Sequence, residues 1–285
     1  MTGRRGSPTV RRRRLGAELR RYREAAGLTI DHVADRLDCS ASKISRLENG
    51  QTGASPRDVR DMLALYRVAQ PELEDLVEIA RDTRKRGWWH SYGSVLTSAY
   101  VSFEAAAQCI RSYEAQCVPG LLQVSDYARV LMRASRPEPS IQEVEDRVQV
   151  RLARQELLTQ EDPVEFWCVL DEAALRRPVG GLEVMRQQLE HLVSVAEWPN
   201  VTLQVLPVEL GAHPGMEGSF VLFSFPHEGD ADTVYVTMAT GGVFQEKIEE
   251  LQRYSTIFDE LVDVALTPVA TTALIANMVK ECTKS

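Results

Sequence analysis

Apolar side chains near the N-terminus recur with the period of a helix: Leu15, Leu19, Tyr22 and Ala26 stand at i, i+4, i+7 and i+11, and Gly27 follows as a C-terminal stop. Thr29 is placed to cap a second helix, in which Ile30, Val33, Ala34 and Leu37 repeat the pattern up to Asp38. Only Asp38 and Cys39 intervene before Ser40, another capping residue, opens a short third helix from Ala41 to Leu47, which Asn49-Gly50 breaks. Two short helices joined by so tight a turn define a helix-turn-helix.

Farther along, Val101 to Arg133 and Ile141 to Thr159 read as helical, the second through Ile141, Val144, Val148 and Leu152, with a turn at Pro137 and Pro139 between them. The period then changes. Glu165 to Leu170, Val201 to Leu206, Ser219 to Phe225 and Val234 to Met238 are short β-branched or aromatic runs bounded by Pro, Gly, Asp and His, which predicts four strands. A helix from Leu182 to Ala196 separates the first two and predicts a right-handed β-α-β crossover. Helices over Glu246 to Leu266 and Val269 to Cys282 close the chain. The predicted class is mainly α, α+β overall, with one small four-stranded sheet; an α/β arrangement of the same elements stays open.

The length of 285 residues, with 44% hydrophobic and 26% charged residues, allows one or two domains beyond a small module. No apolar run approaches the roughly 20 residues that span a bilayer, and no signal core follows the N-terminal arginines, so a cytoplasmic chain with no membrane association is expected. The net charge of −8 conceals an asymmetry: Met1 to Arg86 carries 19 Lys and Arg against 13 Asp and Glu, and the remainder 14 against 28. The basic end suits a phosphate backbone, whereas the acidic remainder repels one and suits other partners. Residues 1–14, with Gly3, Gly6, Pro8 and the run Arg11 to Arg14, read as a flexible basic arm that either follows a DNA groove or stays solvated. Arg84-Lys85-Arg86-Gly87 reads as a joint and Trp88-Trp89 as the start of new packing, which places a DNA-binding domain at 15–86 and an effector or partner-binding and dimerisation domain at 87–285.

On the third helix Ile44 and Leu47 point inward and leave Ala41, Ser42, Ser45 and Arg46 on the opposite face. Arg46 suits a bidentate contact to guanine, Ser42 and Ser45 suit several bases, and Lys43 at the flank suits a phosphate. Thr29, Ser40 and Asn49, at the helix starts and end, complete the candidate DNA-binding set. Many polar helix faces look like this; two capped helices, a tight turn and local basic charge favour the functional reading.

Beyond residue 86 the candidates each carry two readings. His213 and Met216, in the run Gly211 to Gly218, belong either to a loop that closes on a ligand or to a sharp turn that needs its Gly and Pro. Arg147, Arg151 and Arg154 form a basic stripe, either a solvated face or a surface for an acidic partner; Trp88 and Trp89 join the ligand or partner candidates. Asp171-Glu172 follows a strand where α/β enzymes place an acid, but a helix start favours the same residues and no nucleophile accompanies them, so no enzyme is expected. Cys39, Cys109, Cys117, Cys168 and Cys282 form no CxxC pair, and the five histidines have no ligand spacing, so neither metal nor cofactor is expected. Cys109 and Cys117 are expected on one helix two turns apart, which makes a direct bridge difficult.

The stretch LGAELRRYREAAGLTIDHVADRLDCSASKISRLENG resembles the first three helices of Xre-family repressors. That resemblance implies a five-helix DNA-binding domain with further helices near Ser55 to Arg67 and Pro71 to Thr83, a homodimer on a double-stranded operator, and an internal ion pair between Arg23 and Glu48. The chain departs at Ile30, where many relatives place a backbone-contacting glutamine. VPGLLQVSDYAR (118–129), RVQVRLARQELL (147–158), VLDEAALRRPVGG (169–181) and LPVELGAHPGMEGSF (206–220) are similar to the C-terminal domain of actinobacterial WhiJ-like, antitoxin-like Xre regulators. This second resemblance implies autoregulated transcriptional control and a small partner protein encoded by a neighbouring gene, with an antitoxin-like sequestering protein as the alternative.

Overall fold

The computed structural model describes residues 8–83, 99–135, 139–226, 230–238 and 241–284. They form two units, the first holding residues 8–83 and 99–106 and the second most of 107–284.

The first unit is helical: α1 (Pro8–Ala25), α2 (Ile30–Arg36), α3 (Ala41–Glu48), α4 (Pro56–Leu65), α5 (Gln70–Asp82) and α6 (Ala99–Ala106). Leu15, Leu19, Val33, Ile44, Val59 and Met62 meet in one core. Left-handed residues end four of the helices: Gly27, Asp38, Gly50 and Arg67 have φ of 68°, 49°, 63° and 61°. In each case the following amide bonds back to a carbonyl five residues earlier, such as Cys39 N–H to the Ala34 carbonyl (3.0 Å) and Val68 N–H to that of Leu63 (3.0 Å). These closures hold the interhelical turns short.

Two expectations need correction here. The arm does not extend to Arg14, because α1 starts at Pro8, a residue preorganised for the first helical position. Val10 is buried, Arg11 pairs with Asp82 (2.6 Å) and the Arg13 guanidinium lies 4.9 Å from the Phe103 ring centre. The unit is also not limited to five helices: α6 packs on the first turns of α1, with Ser102 Oγ donating to Thr9 Oγ1 (2.8 Å). Residues 99–106 therefore belong to the first unit and not to the domain expected from 87 onward. Trp88, Trp89 and the expected joint at 84–87 lie outside the described residues.

In the second unit the expected four-stranded sheet is a six-stranded mixed one: β1 (Cys109–Glu114), β2 (Glu165–Asp171), β3 (Val201–Leu206), β4 (Phe220–Ser224), β5 (Thr233–Met238) and β6 (Gly241–Gln245), in the order β3-β2-β1-β4-β5-β6. β1, β2 and β3 are parallel, while β4, β5 and β6 run antiparallel to their neighbours. The correction arises at β1, which lies where a continuous helix was expected, and at β6. With Cys109 on β1 and Cys117 past its end, the two cysteines do not share a helix. Ile110, Phe166, Cys168 and Leu170 are buried on one face, Tyr113, Val169 and Phe220 on the other, as central strands require.

The helices of this unit are α7 (Ser125–Ala134), α8 (Ile141–Arg154), α9 (Glu172–Arg176), α10 (Leu182–Val195), α11 (Ile248–Val264) and α12 (Pro268–Lys284). α11 lays Phe258 and Leu261 across the sheet beside Tyr113, Val169, Phe220, Leu222 and Val234. The connection to α12 closes the β3 edge: Leu266 N–H donates to the Val205 carbonyl (2.9 Å) and Val205 N–H to Thr271 Oγ1 (3.0 Å). Among the described residues no single helix is long and apolar enough to cross a membrane; α11 and α12 pass that test only as a pair bent by 68°.

Candidate nucleic-acid interface

The geometry of α2 and α3 follows from their caps. Thr29 Oγ1 accepts from His32 N–H (3.2 Å) and Ser40 Oγ from Lys43 N–H (3.1 Å), which fixes both helix starts and leaves Asp38 to turn the chain between them. Ile44, Leu47 and Glu48 are buried, while Ser42, Arg46 and Asn49, spaced i, i+4 and i+7, make an exposed stripe along α3. Ala41 and Ser45 flank that stripe half-buried, and Asn49 Nδ2 donates to Ser45 Oγ (3.3 Å). No hydrogen bond or ion pair among the described residues engages the Arg46 guanidinium, so its fork of donors is available to a guanine edge.

Two ionic contacts hold the stripe in place. Arg23 binds Glu48 through both forks, at 2.7 and 2.9 Å, and its third nitrogen donates to the Leu28 carbonyl (2.8 Å), so one buried guanidinium joins α1, the start of α2 and the end of α3. The Glu48 carboxylate raises the Arg23 pKa. Lys43 Nζ sits 2.7 Å from Asp58 Oδ1, and this pairing raises the lysine pKa. Asp58 also closes a capping box with Ser55 at the start of α4, so Lys43 serves as a brace between α3 and α4 besides standing at the flank of the stripe. Asp58 was missed in the sequence; the Ser55-x-x-Asp58 spacing was the signal for its capping role.

The candidates of the second unit are not gathered in one place. The His213 side chain is buried, though the residue as a whole is half-buried: its Nδ1 accepts from Gly215 N–H (3.2 Å), its Nε2 lies 3.4 Å from Asp171 Oδ2, and its ring meets Tyr113 edge-on at 6.0 Å. A Cβ on Gly215 would stand 2.5 Å from the Tyr113 ring, so His213 and Gly215 pack the loop down, while Met216 points out, 69% exposed. On α8, Arg147 is half-buried, Arg151 donates to Gln123 Oε1 (2.7 Å) and Arg154 is buried, so the basic stripe is turned toward its own chain. Asp171 caps α9 by accepting from Ala173 N–H (2.8 Å), and the buried Glu172 accepts from Val208 N–H (3.0 Å) and pairs with Arg176. Both serve the local backbone.

One titrating group stands out. Burial pushes the Glu114 carboxyl, at the end of β1, up to about 7, against the opposing effects of hydrogen bonds from Ser112 and Ser219 and the charge of Arg151. An acid whose folded pKa is raised keeps its proton when the unfolded chain has lost it, so its contribution to stability falls as pH climbs from its ordinary 4.5 toward 7. Glu114→Gln is therefore expected to flatten the loss of urea stability between pH 5 and about 7. An unchanged slope in the variant would assign that loss to other groups.

Residues 14–76 match a helix-turn-helix domain, and residues 97–277 match the domain of unknown function DUF5753. No curated protein matches, and no solved structure does. The first match gives the chain a helix-turn-helix domain, which supports a DNA-binding regulator. The second covers well over half of the sequence, and by it the chain belongs to the DUF5753 family.

Proposed function

We propose that the chain is a sequence-specific, autoregulatory transcription factor that reads its operator as a cytoplasmic homodimer, through Ser42, Arg46 and Asn49 of α3. The exposed stripe on α3 carries this reading: Arg46 is exposed and, among the described residues, engaged by no hydrogen bond or ion pair. Thr29 and Ser40, at the starts of α2 and α3, add amide and hydroxyl contacts to phosphates, which set register and not sequence. Two such helices in a dimer lie about 34 Å apart and meet successive major grooves of a palindromic site. On this reading the second unit binds a partner or ligand and performs no catalysis. The surplus of acidic residues beyond Arg86 favours a partner other than DNA, and WhiJ-like regulators suggest a small protein encoded nearby, with sequestration of that protein as the antitoxin-like variant of the same reading.

The test is binding of the purified chain to its own upstream DNA and to a scrambled duplex at two salt concentrations. Arg46→Ala is expected to cost about 1–3 kcal/mol on the operator and little on the scrambled duplex. Equal losses on both would show that Arg46 touches backbone only, and a wild-type chain that binds both alike would leave charge as the sole attraction.

A further inference from the structure

α3 carries two cations. Arg46 stands in the exposed stripe, whereas Lys43 lies about 100° round the helix from Ser42, on the side toward α4. The carboxylate that meets Lys43 there divides its oxygens between two tasks. Asp58 Oδ2 accepts from Ser55 Oγ (2.7 Å) and from Ser55 N–H (3.3 Å), which ties it to the start of α4, and Oδ1 accepts from Lys43 Nζ (2.7 Å). The cap fixes this carboxylate by itself, so the lysine meets a partner already in place.

The Lys43 side chain is 42% exposed and that of Asp58 32%, so the ammonium has a way out to solvent and, beside the stripe, to a DNA phosphate. Among the described residues no other carboxylate pairs with Lys43 and no other cation with Asp58. A phosphate would have to draw the ammonium off this carboxylate. Doing so trades one ion pair for another and leaves the Asp58 charge bare beside a polyanion, so the exchange gains little.

We propose that Asp58 withholds Lys43 from the DNA backbone, which makes the pair a neutral flank to the reading stripe and limits how steeply binding depends on salt; this deepens the reading above and rests on it. Asp58 is then a positioning residue that touches no DNA. A lysine left free at this place adds a phosphate contact on every sequence alike. With the pair closed, the hold of α3 leans instead on the base edges within reach of Arg46.

Binding of the full chain to the scrambled duplex at about 50 and about 200 mM salt tests this, with the wild type, Asp58→Asn, Lys43→Gln and the double variant compared. Asparagine keeps an oxygen for the Ser55 amide, and a partly exposed pair adds little to stability, so all four are expected to fold. Asp58→Asn is expected to bind about 5-fold more tightly at the lower salt and to lose about 3.5-fold more affinity than the wild type between the two, the mark of one added phosphate contact. The double variant, whose pair is neutral overall like the native one, is expected to match the wild type in both. A double variant that loses about 3.5-fold less than the wild type would show Lys43 already on a phosphate and would overturn the proposal. An Asp58→Asn chain no tighter than the wild type overturns it too, as does a gain equally large in the Lys43→Gln background, which is repulsion by Asp58 alone. Operator selection by the wild type is measured alongside: a chain that binds both duplexes alike sinks the regulator reading and leaves the scrambled-duplex result standing, and a chain that selects its operator but fails the comparison does the reverse.

Discussion

Arg23→Met is expected to lower the stability of the helix-turn-helix unit by about 3–5 kcal/mol, because it strands the Glu48 carboxylate in a buried position. Glu48 is 6% exposed, and the two bonds from Arg23 are lost together. A loss of this size is a large share of the 5–15 kcal/mol that holds a typical domain. Glu48→Met is expected to cost a similar amount through the stranded guanidinium. The double Met variant is expected to lose much less than the sum, since two apolar side chains need no solvation and the pair's own desolvation cost disappears with it. Urea unfolding of the full chain, followed by amide exchange in α1 to α3, gives the cycle. Single-variant costs below about 1 kcal/mol would mean that water reaches the pair and that packing alone fixes α3.

Much of this unit could be read from the sequence, because its organisation is short-range. The caps at Thr29 and Ser40, the stop at Gly50 and the inward pair Ile44 and Leu47 are decided within a few residues of each other, so α2, α3 and the exposed stripe follow from local rules. What failed was long-range or masked by composition. Residues 1–14 read as a flexible basic arm because four consecutive arginines look unburiable, yet arginine is a good helix former, and the side chains of Arg11 and Arg13 find Asp82 and Phe103, far along the chain. β1 carries Arg111, Ser112 and Glu114 among its six residues and shows no β-branched run; its place is set by β2 and β4 on either side. With β1 unseen, Glu114 was unseen as an acid whose pKa is raised. β6 holds two glycines, which weaken a strand signal, and is kept by the Tyr235 ring across the hairpin. For His213 the sequence leaves a ligand loop and a sharp turn open; the ring contacts Gly215, Asp171 and Tyr113, partners too far along the chain or too local in geometry to be read from composition.

The placement of the stripe depends finally on how closely α1 and α3 approach, and Gly16 sets that distance. A Cβ there would stand 2.5 Å from the Glu48 carbonyl oxygen and 2.6 Å from that of Leu47. Both are backbone atoms at the end of α3, so no rotamer change relieves the clash and the helices must separate. On an isolated helix, glycine to alanine is favourable by roughly 1 kcal/mol; here the steric term has the opposite sign and is expected to win. Gly16→Ala should destabilise the unit by about 3 kcal/mol, at the top of the usual range for overpacking, and weaken operator binding as α3 shifts. Gly27 provides the contrast, since its surroundings are open but its φ is +68°. Gly27→Ala should cost about 1–2 kcal/mol through backbone strain alone and leave operator affinity intact at temperatures where the unit stays folded. Thermal unfolding and operator titration of both variants separate the two causes. A neutral or stabilising Gly16→Ala would mean that α1 and α3 have room between them, and that the closeness of these helices is no condition for reading DNA.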